Sequence, residues 1–190
     1  MKIFLSVIWL LGIVYATIPS FWLAIHPCAG WWRTRRGKIY PFLGLFWLAV
    51  IGLAGYLTFP WHTQRLYTTP WSWLAGSLFF AAGISVYSGI GKEFSREKVL
   101  GQAELHPEQH AQKLISTGMH GKVRHPFYLG HLCMLTGFTT GSGLVALYIL
   151  WVFAIVSGVV MIKTEEAELE KRFGVEYTEY KKKVPAILPL

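Results

Sequence analysis

The chain has 190 residues, of which 53% are hydrophobic, and its 18 basic and 10 acidic residues give a formal charge of +8. Long stretches carry no charge at all, which argues against a soluble domain with charge over its whole surface and favours one membrane-embedded domain. Nucleic-acid binding would need basic residues on one folded surface interleaved with stacking aromatics, whereas the nine tryptophans here lie in or beside apolar runs.

Three apolar segments in the first half of the chain predict membrane-spanning helices. The first covers residues 3–25, which is longer than the apolar part of a signal peptide, so we predict a retained helix. The second covers 41–59 and begins at a proline, and the third covers 71–90 and follows one. Proline at the first helical position is favoured because its missing N–H costs nothing there.

The fourth and fifth apolar segments predict a tight helical hairpin. The fourth, 126–140, is short, at roughly 22 Å of helix. The link Gly141-Ser142-Gly143 leads directly to the fifth, 144–162. Gly137 and Gly141 form a GxxxG pattern, which in membranes serves close helix packing. Because Gly141 lies in the predicted link, we favour a helix end and turn there.

Two further segments are too polar to span a membrane. One is the stretch 91–125, and the other is the tail 163–183, which predicts an amphipathic helix lying on the protein or at the lipid interface. Gly174 interrupts this helix at a modest cost, and Pro185 ends it. The apolar stripe of the tail consists of Leu169, Phe173, Tyr177, Tyr180 and Val184.

The charges of the chain are one-sided. With five spans, the segments 26–40, 91–125 and 163–190 lie on one side of the membrane and hold 16 of the 18 basic residues. The positive-inside rule then predicts an outside N-terminus and a cytoplasmic C-terminus. All ten acidic residues are Glu and lie on the same side, so the function is sought there. The predicted fold is an all-α integral membrane protein with five transmembrane helices, a cytoplasmic polar segment and a C-terminal amphipathic helix.

A first polar cluster, Arg124-His125, stands where the polar segment meets the fourth span. Pro126 fixes the turn into the helix and disfavours a helical conformation for His125. The free N–H groups of such a helix start favour anionic or electron-rich ligands. The alternative is an interfacial anchor, with Arg124 reaching to lipid headgroups.

A second polar cluster, Lys163-Thr164-Glu165-Glu166, stands where the fifth span ends. Adjacent carboxylates there are costly unless they are solvated or paired, and Lys163 and Glu166 have the spacing of a helical ion pair. Taken alone, the cluster is typical of a solvated helix continuation. The hairpin returns it to the side of Arg124 and His125, so we predict one polar pocket between the two clusters.

Histidines at two further positions form an H-x-x-x-H pattern, His106 and His110. A zinc protease would need Glu after the first His, where this chain has Pro107. We therefore predict a polar loop and no metal site.

At this point the chain resembles a known family. The stretch 113–118 (KLISTG) followed by 124–130 (RHPFYLG) is similar to the cofactor motif of isoprenylcysteine carboxyl methyltransferases and related phospholipid methyltransferases. The resemblance extends over roughly residues 90–190 and divides the chain into an N-terminal three-helix membrane region, 1–90, and a cofactor-binding region, 91–190. In the tail it is carried by Glu165-Glu166, Leu169, Phe173-Gly174, Tyr177, Tyr180, Val184-Pro185 and Pro189.

The resemblance implies S-adenosylmethionine as methyl donor, bound at the cytosolic face, and a lipophilic acceptor that enters from the bilayer. The acceptor can be a carboxylate, an amine or a thiol. A protonated amine or thiol would need a base, for which Glu166 is the candidate. The implied cofactor-binding residues are Leu114, Gly118, His120, His125, Pro126, Tyr128 and Glu165, and the implied catalytic residues are Arg124, Lys163 and Glu166.

Two positions depart from the family pattern. The family commonly has Tyr where His120 stands, and its members with a prenyl-cysteine substrate have Arg shortly before the catalytic Glu, where this chain has Lys163. Lysine keeps the charge but loses bidentate recognition of a carboxylate. Two other functions stay open: an NADPH-dependent enzyme of the sterol reductase type, which is normally longer, and a non-catalytic membrane module that binds lipid or a partner through its basic face.

Overall fold

The computed structural model describes residues 1–34, 39–91 and 113–188, which are helical and form no strand within these ranges. Short 3₁₀ turns follow α1 and α3, at His26–Cys28 and Phe59–Trp61. The helices are α1 (Lys2–Leu23), α2 (Ala29–Arg33), α3 (Ile39–Thr58), α4 (Trp71–Ile90), α5 (Pro126–Ser142), α6 (Val145–Phe173) and α7 (Val175–Lys183).

Four segments are long and apolar enough to cross a membrane, so the chain is a multi-pass membrane protein. They are Lys2–Cys28, Tyr40–Trp61, Trp71–Ile90 and Val145–Phe173. These match the first, second, third and fifth predicted spans. The predicted fourth span is a helix that begins at Pro126 as expected, but its 17 residues make it shorter than the others.

The core of the bundle lies between α1 and α6. Apolar residues recur along α1 at helical spacing, and their common face packs on the first turns of α6. Gly12 allows the closest approach, because a Cβ there would lie 2.1 Å from a methyl carbon of Leu147. The buried cluster contains Leu5, Ile8, Trp9, Ile13, Ala16, Leu135, Leu144, Ala146, Leu147 and Leu150.

Helices α4 and α5 pack closely through glycines, which corrects the prediction for the GxxxG pattern. Gly137 and Gly141 both lie inside α5, and neither belongs to the turn. A Cβ on Gly76 of α4 would lie 2.8 Å from the Gly137 carbonyl oxygen. The pattern therefore serves helix packing, as small residues do in membranes. The sequence misled because the helix continues two residues beyond the predicted end.

The turn between α5 and α6 is Gly143-Leu144 and not the predicted 141–143. Gly143 has φ +68, a left-handed conformation that suits the residue after a helix end. Main-chain hydrogen bonds tie this turn to the loop after α3: the Leu66 N–H donates to the Gly143 oxygen at 2.8 Å, and the Val145 N–H to the Gln64 oxygen at 3.0 Å. The predicted hairpin of helices is confirmed with this shift.

The fifth span and the first half of the tail form a single helix, because α6 runs for 29 residues from Val145 to Phe173. The prediction that Gly174 merely interrupts a tail helix was wrong. Gly174 ends α6 with φ 56 and ψ −126, a backbone conformation that only glycine adopts at little cost. Helix α7 then folds back along α6.

The predicted apolar stripe of the tail packs on the protein itself. Tyr177, Tyr180 and Val184 are buried and form a cluster with the half-buried Leu114. Leu169 and Phe173 of α6 complete this cluster. The stripe thus joins the end of α6, α7 and the segment before α5.

Several predicted features lie outside the described residues. These are the H-x-x-x-H pattern of His106 and His110, the polar segment up to residue 112, Pro189, and the basic residues Arg35, Arg36, Lys38, Lys92, Arg96 and Lys98.

Candidate active site

Arg124 and His125 are fixed at the start of α5. Pro126 occupies the first turn and is buried, and His125 caps the helix with φ −119 and ψ 63. This conformation lies outside the helical region, which a following proline disfavours. The two side chains therefore leave the chain just before a rigid helix, as the sequence predicts.

Glu166 of α6 is the centre of the polar cluster. Its Oε1 accepts hydrogen bonds from Arg124 Nε at 2.9 Å and from Arg124 Nη2 at 2.6 Å. The same oxygen lies 3.1 Å from Nε2 of the buried His125. Its other oxygen, Oε2, lies 2.8 Å from Lys181 Nζ. Three cationic groups thus surround one buried carboxylate.

Glu165 contacts the other side of the same imidazole. His125 Nδ1 lies 3.1 Å from Glu165 Oε2, which is short enough for an ion pair. The two atoms are not aligned for a hydrogen bond, and the buried Oε2 has no hydrogen-bond donor among the described residues. The Tyr177 hydroxyl is buried and without a hydrogen-bond partner in the same way. Two polar atoms beside the cluster are therefore buried without a hydrogen bond among the described residues.

The charges of the cluster stabilise one another. Burial of His125 disfavours its protonated form, but the carboxylates of Glu165 and Glu166 outweigh burial and raise the pKa of His125 to about 9. The hydrogen bond to Glu166 likewise raises the pKa of Lys181. His125 is therefore an imidazolium at neutral pH, held between two carboxylates.

The segment after α7 closes over Arg124. Arg124 Nη1 donates to the main-chain oxygens of Lys181, at 3.1 Å, and of Val184. The main-chain N–H groups of Arg124 and His125 donate to the oxygens of Pro185, at 2.9 Å, and Ala186, at 3.0 Å. The Arg124 guanidinium therefore donates hydrogen bonds both to Glu166 and to the main chain of the segment that covers it.

The other predicted site residues lie at different distances from this cluster. Tyr128 points toward α6, where its hydroxyl contacts Met161 Sδ at 2.7 Å. Leu114 packs against Tyr177 and Tyr180, and the His120 carbonyl accepts a hydrogen bond from the Tyr180 hydroxyl at 2.6 Å. Leu114 and His120 are therefore connected to the cluster around Glu166 through residues of α7.

Two predicted residues are not brought into the cluster by the described contacts. Gly118 is an exposed turn residue with φ 59. Lys163 is exposed, and the expected ion pair with Glu166 does not form, because Glu166 is held by Arg124, His125 and Lys181.

The sequence interpretation missed Lys181. Its Nζ bridges Glu166 and Glu170, at 2.8 and 2.9 Å. Only the fold-back of α7 at Gly174 brings it there, and that fold-back depends on a positive φ that the sequence does not show. The main-chain carbonyl groups that bind Arg124 could not be recognised in the sequence, because every residue has such a group.

Comparison with protein-family models, with curated proteins and with solved structures finds no match to this chain. The description of the site therefore depends on the geometry above.

Proposed function

We propose that the chain is an integral membrane methyltransferase that uses S-adenosylmethionine and acts on a lipophilic acceptor at the cytosolic face. The main support is the meeting of Arg124 and His125 with Glu165 and Glu166 at one end of the α5–α6 hairpin. This is the arrangement that the sequence resemblance implies for its cofactor motif. Because the clusters are 40 residues apart in sequence, their meeting is a property of the fold.

The donor set fits such a cofactor. Glu165 Oε2 is ion-paired with His125 but accepts no hydrogen bond among the described residues, and the Tyr177 hydroxyl forms none there either, so the two offer a carboxylate and a phenol to amino and hydroxyl groups. We assign Glu165, His125, Pro126 and Tyr128 to the wall of the cofactor pocket. Leu114, Gly118 and His120 belong to the segment that leads into it.

The methyl donor, when bound, supplies an electrophilic methyl group on a sulfonium. No residue has to act as a nucleophile in an in-line displacement, so the task of the protein is to align the reactants and to exclude water. Burial of His125 and the cover of residues 184–186 over Arg124 provide such a dry, ordered environment.

Arg124 and Glu166 act by positioning in this proposal. A carboxylate shared by Arg124, His125 and Lys181 is a weak base, because protonating it would remove a negative charge that all three cationic groups contact. An acceptor that already carries a lone pair, such as a carboxylate, needs no base. Lys163 is exposed and remains available to pair with an acidic acceptor.

We further propose that α5 is a fifth span and that the C-terminus is cytoplasmic. Arg33 of α2 lies 3.3 Å from Glu168 of α6, so the segments around residues 33 and 168 share one end of the bundle. Arg65 donates to the Ser142 oxygen at 2.8 Å, which places the loop after α3 and the α5–α6 turn at the other end. This alternation is what five spans require, and the positive-inside rule gives the orientation.

Calorimetry of the detergent-solubilised protein tests the enzyme class. We expect heat of binding with S-adenosylhomocysteine and none with NADPH. Binding of NADPH alone would favour the reductase, and binding of neither would favour the non-catalytic module. Both results contradict the proposal.

Three variants test the site. Glu165→Gln removes one of the two carboxylates beside His125 and leaves Glu166 to pair with the imidazolium, so we expect a folded protein with binding about tenfold weaker. His125→Ala is expected to lose binding. Glu170→Gln is the matched control, because Glu170 is exposed and contacts only Lys181 among the ion pairs of the described residues. Full binding by Glu165→Gln and His125→Ala would reject this pocket.

Accessibility of an introduced cysteine tests the orientation. Cys28 is exposed and is first replaced by Ser, so that it does not react. A cysteine at Lys182 should then resist a membrane-impermeant reagent in intact cells and react after lysis. Labelling in intact cells would reverse the proposed topology.

A further inference from the structure

A histidine lies between two tyrosines inside the bundle, in the half that contains Glu166. The ring centroid of His131, on α5, is 5.7 Å from that of Tyr15 on α1 and 5.6 Å from that of Tyr87 on α4. By the helical rise, His131 and Tyr15 are roughly 8 and 12 Å in from the ends of their helices on that side. Ionisable residues within membrane spans are rare and usually serve a function.

The three residues line a cleft between α1 and α4, with α5 as its floor. Both helices pack against α5, with little direct contact between them. They meet in the other half of the bundle, where the ring centroids of Phe4 and Trp73 are 5.9 Å apart. Gly130 lets the Tyr87 ring lie against the floor, because a Cβ there would lie 2.6 Å from that ring. The cleft is therefore closed at one end and lined by polar aromatic groups near the other.

One nitrogen of His131 is left without a partner. Its Nδ1 lies 2.7 Å from the main-chain oxygen of Phe127, and because a carbonyl oxygen only accepts, Nδ1 carries a proton. Among the described residues His131 has no ion pair, and its Nε2 has no hydrogen bond. An imidazolium without a carboxylate is costly inside a membrane, so the ring is neutral and Nε2 presents a lone pair.

Two phenol groups beside this nitrogen are open as well. Neither the Tyr15 nor the Tyr87 hydroxyl forms a hydrogen bond within the part of the chain that the structure describes. The residues are half-buried, and the fully buried atoms that lack a partner belong to other residues, so both hydroxyls and His131 Nε2 keep accessible surface. An unpaired polar group in an apolar environment costs about 1–3 kcal/mol. Three such groups at one cleft favour a ligand that pairs with them.

We propose that this cleft binds a lipophilic molecule that carries a hydroxyl group. Such a hydroxyl can donate to the lone pair of His131 Nε2 and accept from a tyrosine hydroxyl at the same time. Phe80 and Phe138 extend the apolar wall, with ring centroids 4.9 Å apart, and Phe138 lies 5.9 Å from Tyr15. Ligand sites combine an apolar lining with a few polar groups in this way. The three polar groups are uncharged, which suits a neutral ligand better than a carboxylate or a phosphate.

The cleft goes beyond the proposed methyl transfer, although α5 contributes to both sites. His131 follows His125 by six residues, roughly 9 Å along the helix. The inference rests on the proposal that α5 lies within the membrane, but it does not depend on the methyl donor. Its ligand can therefore be measured with no methyl donor present.

Native mass spectrometry of the whole protein in neutral detergent tests the proposal. The probes are para-nonylphenol and para-nonylanisole, which share one apolar body, but the second carries a methyl ether in place of the hydroxyl. Para-nonylphenol should bind about tenfold more tightly, because the ether cannot donate to His131. Equal binding of the two probes, or binding of neither, overturns the proposal.

Two variants and a control locate the binding. His131→Phe keeps an aromatic ring and should bind both probes equally, at the affinity of the ether. Tyr87→Phe removes a hydroxyl that has no hydrogen bond among the described residues, so it keeps the fold and should weaken phenol binding by about threefold. Tyr56→Phe removes the same group from a tyrosine of α3 that is 79% exposed, and should have no effect. A full preference for the phenol in both cleft variants, or an equal loss in the control, contradicts the proposal.

Binding of S-adenosylhomocysteine separates this site from the proposed enzyme. His131→Phe should retain it, which shows that the variant is folded. A native chain that prefers the phenol but does not bind S-adenosylhomocysteine would support the cleft and reject the methyltransferase.

Discussion

The two ends of the helical bundle are held together by different interactions. At the end with the α5–α6 turn, main-chain groups of Leu66 and Gly143 pair, and glycines let α4 and α5 touch. At the opposite end, ion pairs around Glu166 and Glu168 join α2, α5, α6 and α7. Main-chain and glycine contacts are therefore prominent at one end, whereas the ion pairs are concentrated at the other, beside the apolar cluster of Tyr177, Tyr180 and Val184. Changes of charge or pH should affect mainly the second end, and added volume at Gly76 mainly the first.

Glu166→Gln should cause the largest loss of stability, at the end of the bundle that contains the ion pairs, which we call the charged end. The change leaves the buried Arg124 guanidinium and His125 imidazolium without their shared carboxylate. Breaking a buried ion pair from one side costs roughly 3–5 kcal/mol. Thermal unfolding in detergent measures this loss of stability. Glu170→Gln, in the same helix but exposed, should lower the melting temperature little. Equal effects of the two variants would mean that the cluster does not hold this end together.

Raising the pH should cause the second largest loss of stability, also at the charged end. The folded-state pKa of His125, about 9, is above its ordinary value of 6.5. Its contribution to stability is therefore complete below pH 6.5 and is lost as the pH rises through 9. The shift corresponds to at most about 3 kcal/mol. Unfolding measured at pH 6.5 and at pH 9.5 should show the decrease in the native chain and a flatter profile in His125→Gln. A native profile without that decrease would contradict the ion pairs of His125.

The sequence predicts that the charged residues meet at one end of the bundle, but it does not predict every contact among them. Pro126 fixes where α5 begins, and the short link to α6 is sufficient to predict that Glu165 and Glu166 return to Arg124 and His125. The role of Lys181 could not be predicted, because it depends on a left-handed conformation at Gly174 that a modest helix interruption does not suggest.

At the end with the α5–α6 turn, the sequence shows where the glycines are but not which helix packs against them. Gly137 and Gly141 can mark a turn or a helix contact, and the choice depends on whether α4 packs beside them. Helix order along the chain does not determine that. The apolar residues of α3 and α4 gave the correct spans because hydropathy depends on composition alone.

Gly76→Ala should destabilise the end of the bundle with the α5–α6 turn, and its loss of stability should be the smallest of the three. The new Cβ would lie 2.8 Å from the main-chain oxygen of Gly137, and a helix backbone cannot move aside as a flexible side chain can. Overpacking of this kind costs about 1–3 kcal/mol. Gly158→Ala is the matched control, since no atom lies within 4 Å of its added Cβ. The melting temperature should fall only in Gly76→Ala, by the same amount at pH 6.5 and pH 9.5, because the three atoms nearest the added Cβ all belong to Gly137 and Gly141, which do not titrate. A pH-dependent loss would show that the two ends are coupled through α5, whose first residue follows His125.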